Sequence, residues 1–124
     1  MQICYNKHMP IKINRKASKI LKEVKTICGQ LFGDKLHDIY LYGSYARGDY
    51  DKESDIDILL TVNLTQKQII KYRKSIAIVC SDLSLKYDIT VSISIQPLNL
   101  FIKFSQDLPF YRNVIKEGIH SYGN

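Results

Sequence analysis

Two aspartates one residue apart interrupt an apolar run, SDIDILLTV, residues Ser54 to Val62. In an extended strand the side chains at i and i+2 share a face. Asp55 and Asp57 therefore point one way, while Ile56, Ile58 and Leu60 supply the burial on the other. Their α-carbons stand roughly 6.5–7 Å apart along such a strand. Carboxylates that close repel, and each raises the other's pKa. Folding alone gives no reason for the arrangement. A divalent cation between them does, because it cancels the repulsion and takes hard oxygen ligands. Magnesium in particular keeps a few carboxylates and fills its other positions with water and phosphate oxygens. A third carboxylate, Asp88, opens a later alternating run, YDITVSISI (Tyr87 to Ile95), on the polar side with Thr90, Ser92 and Ser94. If the two strands are neighbours, three carboxylates on one open face can hold two metals roughly 3.5–4 Å apart, the spacing used for in-line phosphoryl or nucleotidyl transfer.

Upstream, GSYARG follows the first strand directly. Gly43 permits close backbone approach and a positive φ. Ser44 offers a hydroxyl and an N–H, and Ala46 and Arg47 begin a short helix whose N–H groups point toward an anion. This is a phosphate-holding turn without the lysine of the P-loop pattern G-x-x-x-x-G-K-[ST]. Each part has an ordinary reading on its own. A Gly-Ser pair makes turns, a D-x-D can be a solvated strand end, and Asp88 can cap a loop or pair with Lys86. Arg47 either binds phosphate or pairs with Asp49 and Asp51, an exposed contact worth little. The combination, in this order and spacing, points to nucleotide chemistry.

The elements that must position these residues are legible from periodicity. Ala17, Ile20, Leu21, Val24, Ile27, Cys28, Leu31 and Phe32 recur at helical steps, predicting a helix over 13–32 with Asn14 as N-cap and Gly33 as its stop. HDIYLY (His37 to Tyr42) predicts a first strand, Ser54–Val62 a second and Tyr87–Ile95 a third. Thr65 caps one long helix running to Lys86. Pro97 and Pro109 open two short helices, and Gly118 ends the second. The tail IHSYGN can add a short strand. There is no repeat or linker, so residues 1–124 are expected to form one domain. The class is α/β (α+β), a short mixed sheet with helices covering one face.

The charge is +6, with 18 Lys plus Arg against 12 Asp plus Glu. A basic balance suits nucleotides, nucleic acid or an acidic protein partner. The lysines of the first helix lack interleaved aromatics for base stacking, so direct nucleic-acid binding is not expected. Cys4, Cys28 and Cys80 form no C-x-x-C spacing and fit a reducing cytoplasm. His8, His37 and His120 show no metal-ligand spacing, and His37 reads as the first residue of a strand. The nine tyrosines are too scattered to form a stripe; Tyr111 reads as core and Arg112 as surface. No signal peptide and no apolar run of roughly 18 residues is present, so a membrane span is not expected.

With Gly43-Ser44, ten intervening residues and Asp55-Ile56-Asp57, the chain resembles the DNA polymerase β-type nucleotidyltransferase superfamily. The helix, the GSYARG block, SDIDILL and YDITVSI fall in family order over nearly the whole chain. Its small size and the segment PFYRNVIKEG look most like the minimal nucleotidyltransferases (MNT), the antitoxins of HEPN/MNT toxin–antitoxin pairs, here type VII-like. The resemblance implies a polymerase β palm-like fold. Asp55, Asp57 and Asp88 would be the catalytic, metal-holding carboxylates, with two Mg2+ ions. Gly43, Ser44 and Arg47 would bind the nucleotide triphosphate. The implied reaction moves AMP from ATP to a tyrosine hydroxyl of a HEPN ribonuclease toxin, which it silences as a hetero-oligomer in a prokaryotic cytoplasm. Two alternatives stand beside it: an antitoxin acting by binding alone with a vestigial site, and a small-molecule nucleotidyltransferase of the aminoglycoside-modifying type.

Overall fold

A computed structural model describes residues 13–122; Cys4, Tyr5 and His8 lie outside them. Helix α1 (Arg15–Phe32) opens as expected, with the Asn14 side chain accepting the Ala17 N–H at 3.1 Å. It buries Ala17, Ile20, Leu21, Val24, Cys28 and Phe32 along one stripe. A 3-10 turn at Gly33–Lys35 leads into β1 (Leu36–Tyr42), then the four-residue α2 (Ser44–Arg47) and β2 (Ile56–Val62). Next come α3 (Gln66–Ile70), α4 (Arg73–Tyr87) and β3 (Val91–Pro97), followed by α5 (Leu98–Phe104), α6 (Pro109–Glu117) and β4 (Ile119–Tyr122).

The strands form one mixed sheet in the order β3-β2-β1-β4. β1 pairs antiparallel with β2 and with β4, while β2 and β3 run parallel. A parallel neighbour needs a crossover, and α3 and α4 supply it. The register fixes two faces. Ile56, Ile58, Leu60 and Val62 enter the main core with Ile39 and Leu41 against α1 and α4. Asp57, Leu59 and Thr61 face the other way, opposite Tyr42, Tyr40 and Asp38.

Three expectations are corrected. Helices cover both faces, not one: α5 and α6 bury Leu59, Phe101 and Val114 in a second cluster with Tyr40, Tyr42 and Tyr111. The long helix from Thr65 is two helices. Thr65 and Gln68 form a capping box for α3, and the chain then turns at Tyr72, whose ring packs 4.6 Å from that of Phe32. The third strand covers 91–97, not 87–95. The Tyr87 hydroxyl donates to Glu23 of α1, and Lys86 Nζ donates to the same carboxylate at 2.9 Å. These contacts hold Tyr87 in the last turn of α4. Asp88 then adopts a left-handed backbone (φ 53°, ψ 49°) as the C-cap.

β3 is an outer strand, yet its edge is partly covered. Ser84 Oγ accepts the Val91 N–H at 2.9 Å. Tyr111 belongs to the core and donates to Gln96 Oε1 at 2.8 Å, while Arg112 is exposed, as their types suggest. His37 is the second residue of β1. No helix among the described residues is long and apolar enough to cross a membrane.

Candidate active site

The site grows from the end of β1 and the start of β2, which the antiparallel register brings together. Tyr42 is paired with Asp57. Gly43 follows at φ 77° and ψ −157°, a backbone conformation that is essentially glycine's alone. A Cβ there would lie 2.6 Å from Asp57 Oδ2. Glycine is thus required both by the turn and by the carboxylate that presses on it. The Gly43 carbonyl accepts the N–H groups of Ala46 and Arg47 at 3.0 and 3.1 Å, and this closes α2.

The ten residues between Ser44 and Asp55 are held in place. Tyr45 is buried and stacks on Tyr50 with ring centroids 4.2 Å apart, and the Tyr50 hydroxyl accepts from Asn14 Nδ2 at 3.2 Å. Asp51 Oδ1 accepts the Glu53 N–H at 2.8 Å, and Ser54 Oγ accepts that of Asp51 at 3.0 Å. Asp55 sits one residue before β2 and is exposed; Asp57 is the second residue of the strand and is half-buried.

Burial, then the charge of Asp55, raise the Asp57 carboxyl above its ordinary value, against a smaller downward pull from Arg47. Among the described residues neither carboxylate takes a hydrogen bond or an ion pair from a side chain. A half-buried carboxylate facing a second one, with no donor, fits a hard divalent cation completed by water and phosphate oxygens. Arg47 is exposed and already engaged. Its Nε donates to Asp49 at 3.2 Å, and Nη1 lies 3.7 Å from Glu117 of α6. It also lines a cavity of about 240 Å³ with Gly43, Tyr42, Phe110 and Asn113.

Asp88 is placed differently from its sequence expectation. It caps α4 and so is not on the polar face of β3. The β3 residue opposite Asp57 is Ser92. Asp88 instead shares a cavity of about 300 Å³ with Asp55, Ser84 and Thr90. Among the described residues no three His, Cys, Asp or Glu side chains gather into a possible metal site.

A turn built around a glycine that a carboxylate leaves no room to replace, and a D-x-D on the next strand, sit on a mixed sheet. The nucleotidyltransferase domain family matches residues 21–118, which span all of these elements. The chain belongs to that family. Two proteins of Methanocaldococcus jannaschii, each provisionally named a protein adenylyltransferase, are 39% and 35% identical to it over 93 and 100 residues. These alignments cover 75% and 81% of this chain and 92% of each relative. The fold also resembles those of solved toxin–antitoxin structures. One is an MNT antitoxin in complex with the tri-AMPylated HEPN toxin of Shewanella oneidensis. It has a TM-score of 0.52 and 19% identity, with 87% of this chain and 73% of that one covered. Another is a toxin–antitoxin crystal structure with AMP-PNP, at TM-score 0.51 and 23% identity, with 88% and 72% covered. As a member of this family the chain is a nucleotidyltransferase and takes a nucleotide substrate.

One cluster escaped the sequence reading. Asp38 of β1 is 4% exposed and accepts from Thr61 Oγ1 at 2.6 Å, with His37 Nδ1 and His120 Nε2 each at 2.8 Å. The His120 ring stacks on Tyr40 at 4.7 Å. Its members come from β1, β2 and β4, so no local spacing could announce it.

Proposed function

We propose that this nucleotidyltransferase is an antitoxin that moves AMP from Mg-ATP to a tyrosine hydroxyl of a partner HEPN-domain toxin. The observation that carries the reading is the Asp55–Asp57 pair with no donor of its own, closed against Gly43. The names of the M. jannaschii relatives support protein adenylylation, and the Shewanella complex supports a HEPN partner. Magnesium held by Asp55 and Asp57 would neutralise charge on the α-phosphate and on the leaving pyrophosphate. Gly43, Ser44 and Arg47 hold the β- and γ-phosphates. The phenolic oxygen forms a bond to the α-phosphorus, the bond from that phosphorus to the β-bridging oxygen breaks, and pyrophosphate leaves. Asp88, on Asp55's side of the pair, takes the phenolic proton. A phenol with a pKa near 10 needs that help at neutral pH. Two free thiols, Cys28 and Cys80, suit a cytoplasmic setting.

Ser92 opposite Asp57, where a third carboxylate was expected, favours a second reading in which binding alone neutralises the partner. One experiment separates them. The chain, Mg-ATP and a candidate HEPN-domain partner are incubated, and the partner is weighed by mass spectrometry. Added mass in AMP units that disappears with Asp57→Asn supports transfer. A tight complex with no added mass supports binding alone.

A further inference from the structure

Helix α4 carries large aliphatic side chains on two sides. Ile76 and Leu83, seven residues apart, are buried in the main core. Ile78 and Leu85, also seven apart, share the opposite face of the helix. They are 53% and 81% exposed. Lys74 stands one turn before Ile78 on that face and Asp82 one turn after it, both exposed. Core packing explains the first stripe and not the second. The flank of the second is basic. Lys86 Nζ lies 2.9 Å from Glu23 and so sets α1 beside the last turn of α4. On Glu23's side of α1 come Lys19 and Lys16, one and two turns before it, both exposed. Residues 15–32 and 66–87 together hold ten of the 18 Lys and Arg but two of the 12 Asp and Glu.

The exposed stripe ends at the candidate site. Leu85 lines the cavity of about 300 Å³ that Asp55 and Asp88 share. That cavity lies on the β3 side of the carboxylate pair, where the Thr90 carbonyl accepts the Ile56 N–H at 2.9 Å. The Gly43 turn borders the pair from the β1 side. An in-line displacement needs the attacking and leaving oxygens on opposite sides of the phosphorus. With pyrophosphate leaving toward Gly43, the acceptor enters on the Asp88 side, past Leu85. We propose that the outward stripe of α4, from Ile78 to Leu85, is the surface on which the partner protein docks, which brings its acceptor hydroxyl to the mouth of the Asp55–Asp88 cavity. The inference rests on the proposed transfer to a partner protein and names the surface that transfer would use. The chemistry of the occupant follows from the stripe. Two exposed aliphatic side chains fit an apolar patch on the partner, and Lys16, Lys19 and Lys74 at the margin select acidic residues around that patch.

Ile78→Glu is the deciding variant, because it is exposed and stands two turns away from Leu85 and the cavity. Ile102→Glu, at an equally exposed position on α5 over the other face of the sheet, is its control. Circular dichroism confirms that each variant is folded. Calorimetry reads the affinity for the candidate HEPN-domain partner and, separately, for Mg-ATP. Ile78→Glu should weaken partner binding at least about tenfold and keep Mg-ATP affinity within about twofold. Lys16→Glu combined with Lys19→Glu should weaken partner binding about threefold, and more at low salt. Ile102→Glu should leave it within about twofold. Unchanged partner binding in Ile78→Glu overturns the docking surface, as does a loss that follows Ile102→Glu instead. Two further outcomes also overturn it by naming another occupant. In one, sedimentation shows that Ile78→Glu splits a dimer of the chain alone. In the other, the variant stops binding phosphatidylserine vesicles and still binds the partner. Binding is read apart from transfer, so the two proposals fail separately. A wild-type chain that binds the partner through this stripe and adds no AMP upholds the surface and overturns the proposed reaction.

Discussion

One face of one sheet carries two carboxylates with opposite histories. Asp38 is 4% exposed, and burial pushes its carboxyl up. Hydrogen bonds from His120, Thr61 and His37 outweigh that push and leave it below its ordinary value. Asp57 is less buried and ends above its ordinary value: burial raises it, the charge of Asp55 raises it further, and among the described residues no side chain donates to it. The two lie on neighbouring strands. Thr61, the partner of Asp38, is four residues from Asp57 along β2, about 13 Å. Burial is thus not what separates the satisfied carboxyl from the unsatisfied one here. Donor supply is. The Asp38 end is satisfied from within and ties β4 to β1 and β2. The Asp57 end is left with charge for something from outside to satisfy.

The sharpest way to break this contrast is to neutralise each acid in turn. Asp57→Asn should lower transfer by about a thousandfold or more, since in the proposed reaction it removes the charge that would hold the metal. It should not destabilise the metal-free protein. A carboxyl raised in the folded state contributes stability that is present below its unfolded value of about 3.9 and lost as pH rises through the folded value. At neutral pH the ionised Asp57 is therefore a liability, and the variant should equal or exceed wild type in urea unfolding. The two curves should converge as pH falls below about 4. A less stable Asp57→Asn at pH 7 would contradict the assignment.

Gly43→Ala probes the same end by steric means. It places a methyl 2.6 Å from Asp57 Oδ2 in a backbone region that costs about 1–3 kcal/mol for other residues. The carboxylate or the turn must move, so activity should fall about a hundredfold with ATP present in excess. Unchanged kcat would show that the turn does not set the position of Asp57.

At the quiet end, Asp38→Asn should cost about 1–3 kcal/mol, because a charged acceptor of three hydrogen bonds is replaced in a buried site. The sign of its pH dependence is opposite to that of Asp57. A depressed carboxyl contributes stability that is present above about pH 3.9 and lost as pH falls through the folded value. The deficit of the variant should be full at neutral pH and shrink in acid. The folded fraction should keep its kcat.

How much of this was legible in the sequence follows from how local each signal is. Asn14, the α1 stripe, the capping Thr65 and the D-x-D alternation are contained in a few residues, and the fold keeps them. The border between α4 and β3 was not legible. YDITVSISI alternates without a break, and the contacts that keep Tyr87 helical lie on Glu23, 64 residues away. The same distance effect moved Asp88 off the strand. The Asp38 cluster draws on His120, 82 residues distant, and the second apolar layer needs α5 and α6 to fold back over Leu59. Gly43 and Ser44 could be read as a turn from their types, but the pressure of Asp57 on Gly43 is a fact of pairing alone.

Arg47 offers the smallest effect and the finest test. It is exposed, and its contacts with Asp49 and Glu117 are surface ion pairs of the kind that contribute little to stability. Arg47→Ala should leave the melting temperature unchanged. Triphosphate affinity is another matter. The guanidinium lines the cavity beside Gly43, and a charge-assisted contact to a phosphate is worth about tenfold in binding. The side chain also pulls the Asp57 carboxyl down, so its removal should raise that carboxyl further and make metal loading more sensitive to acid. Calorimetry of ATP binding at pH 7 and pH 5.5 reads both effects. A loss that is equal at the two pH values would confine Arg47 to holding phosphate. A loss that grows in acid would show that this one exposed cation also keeps the neighbouring carboxylate ionised, the task that three hydrogen bonds perform for Asp38.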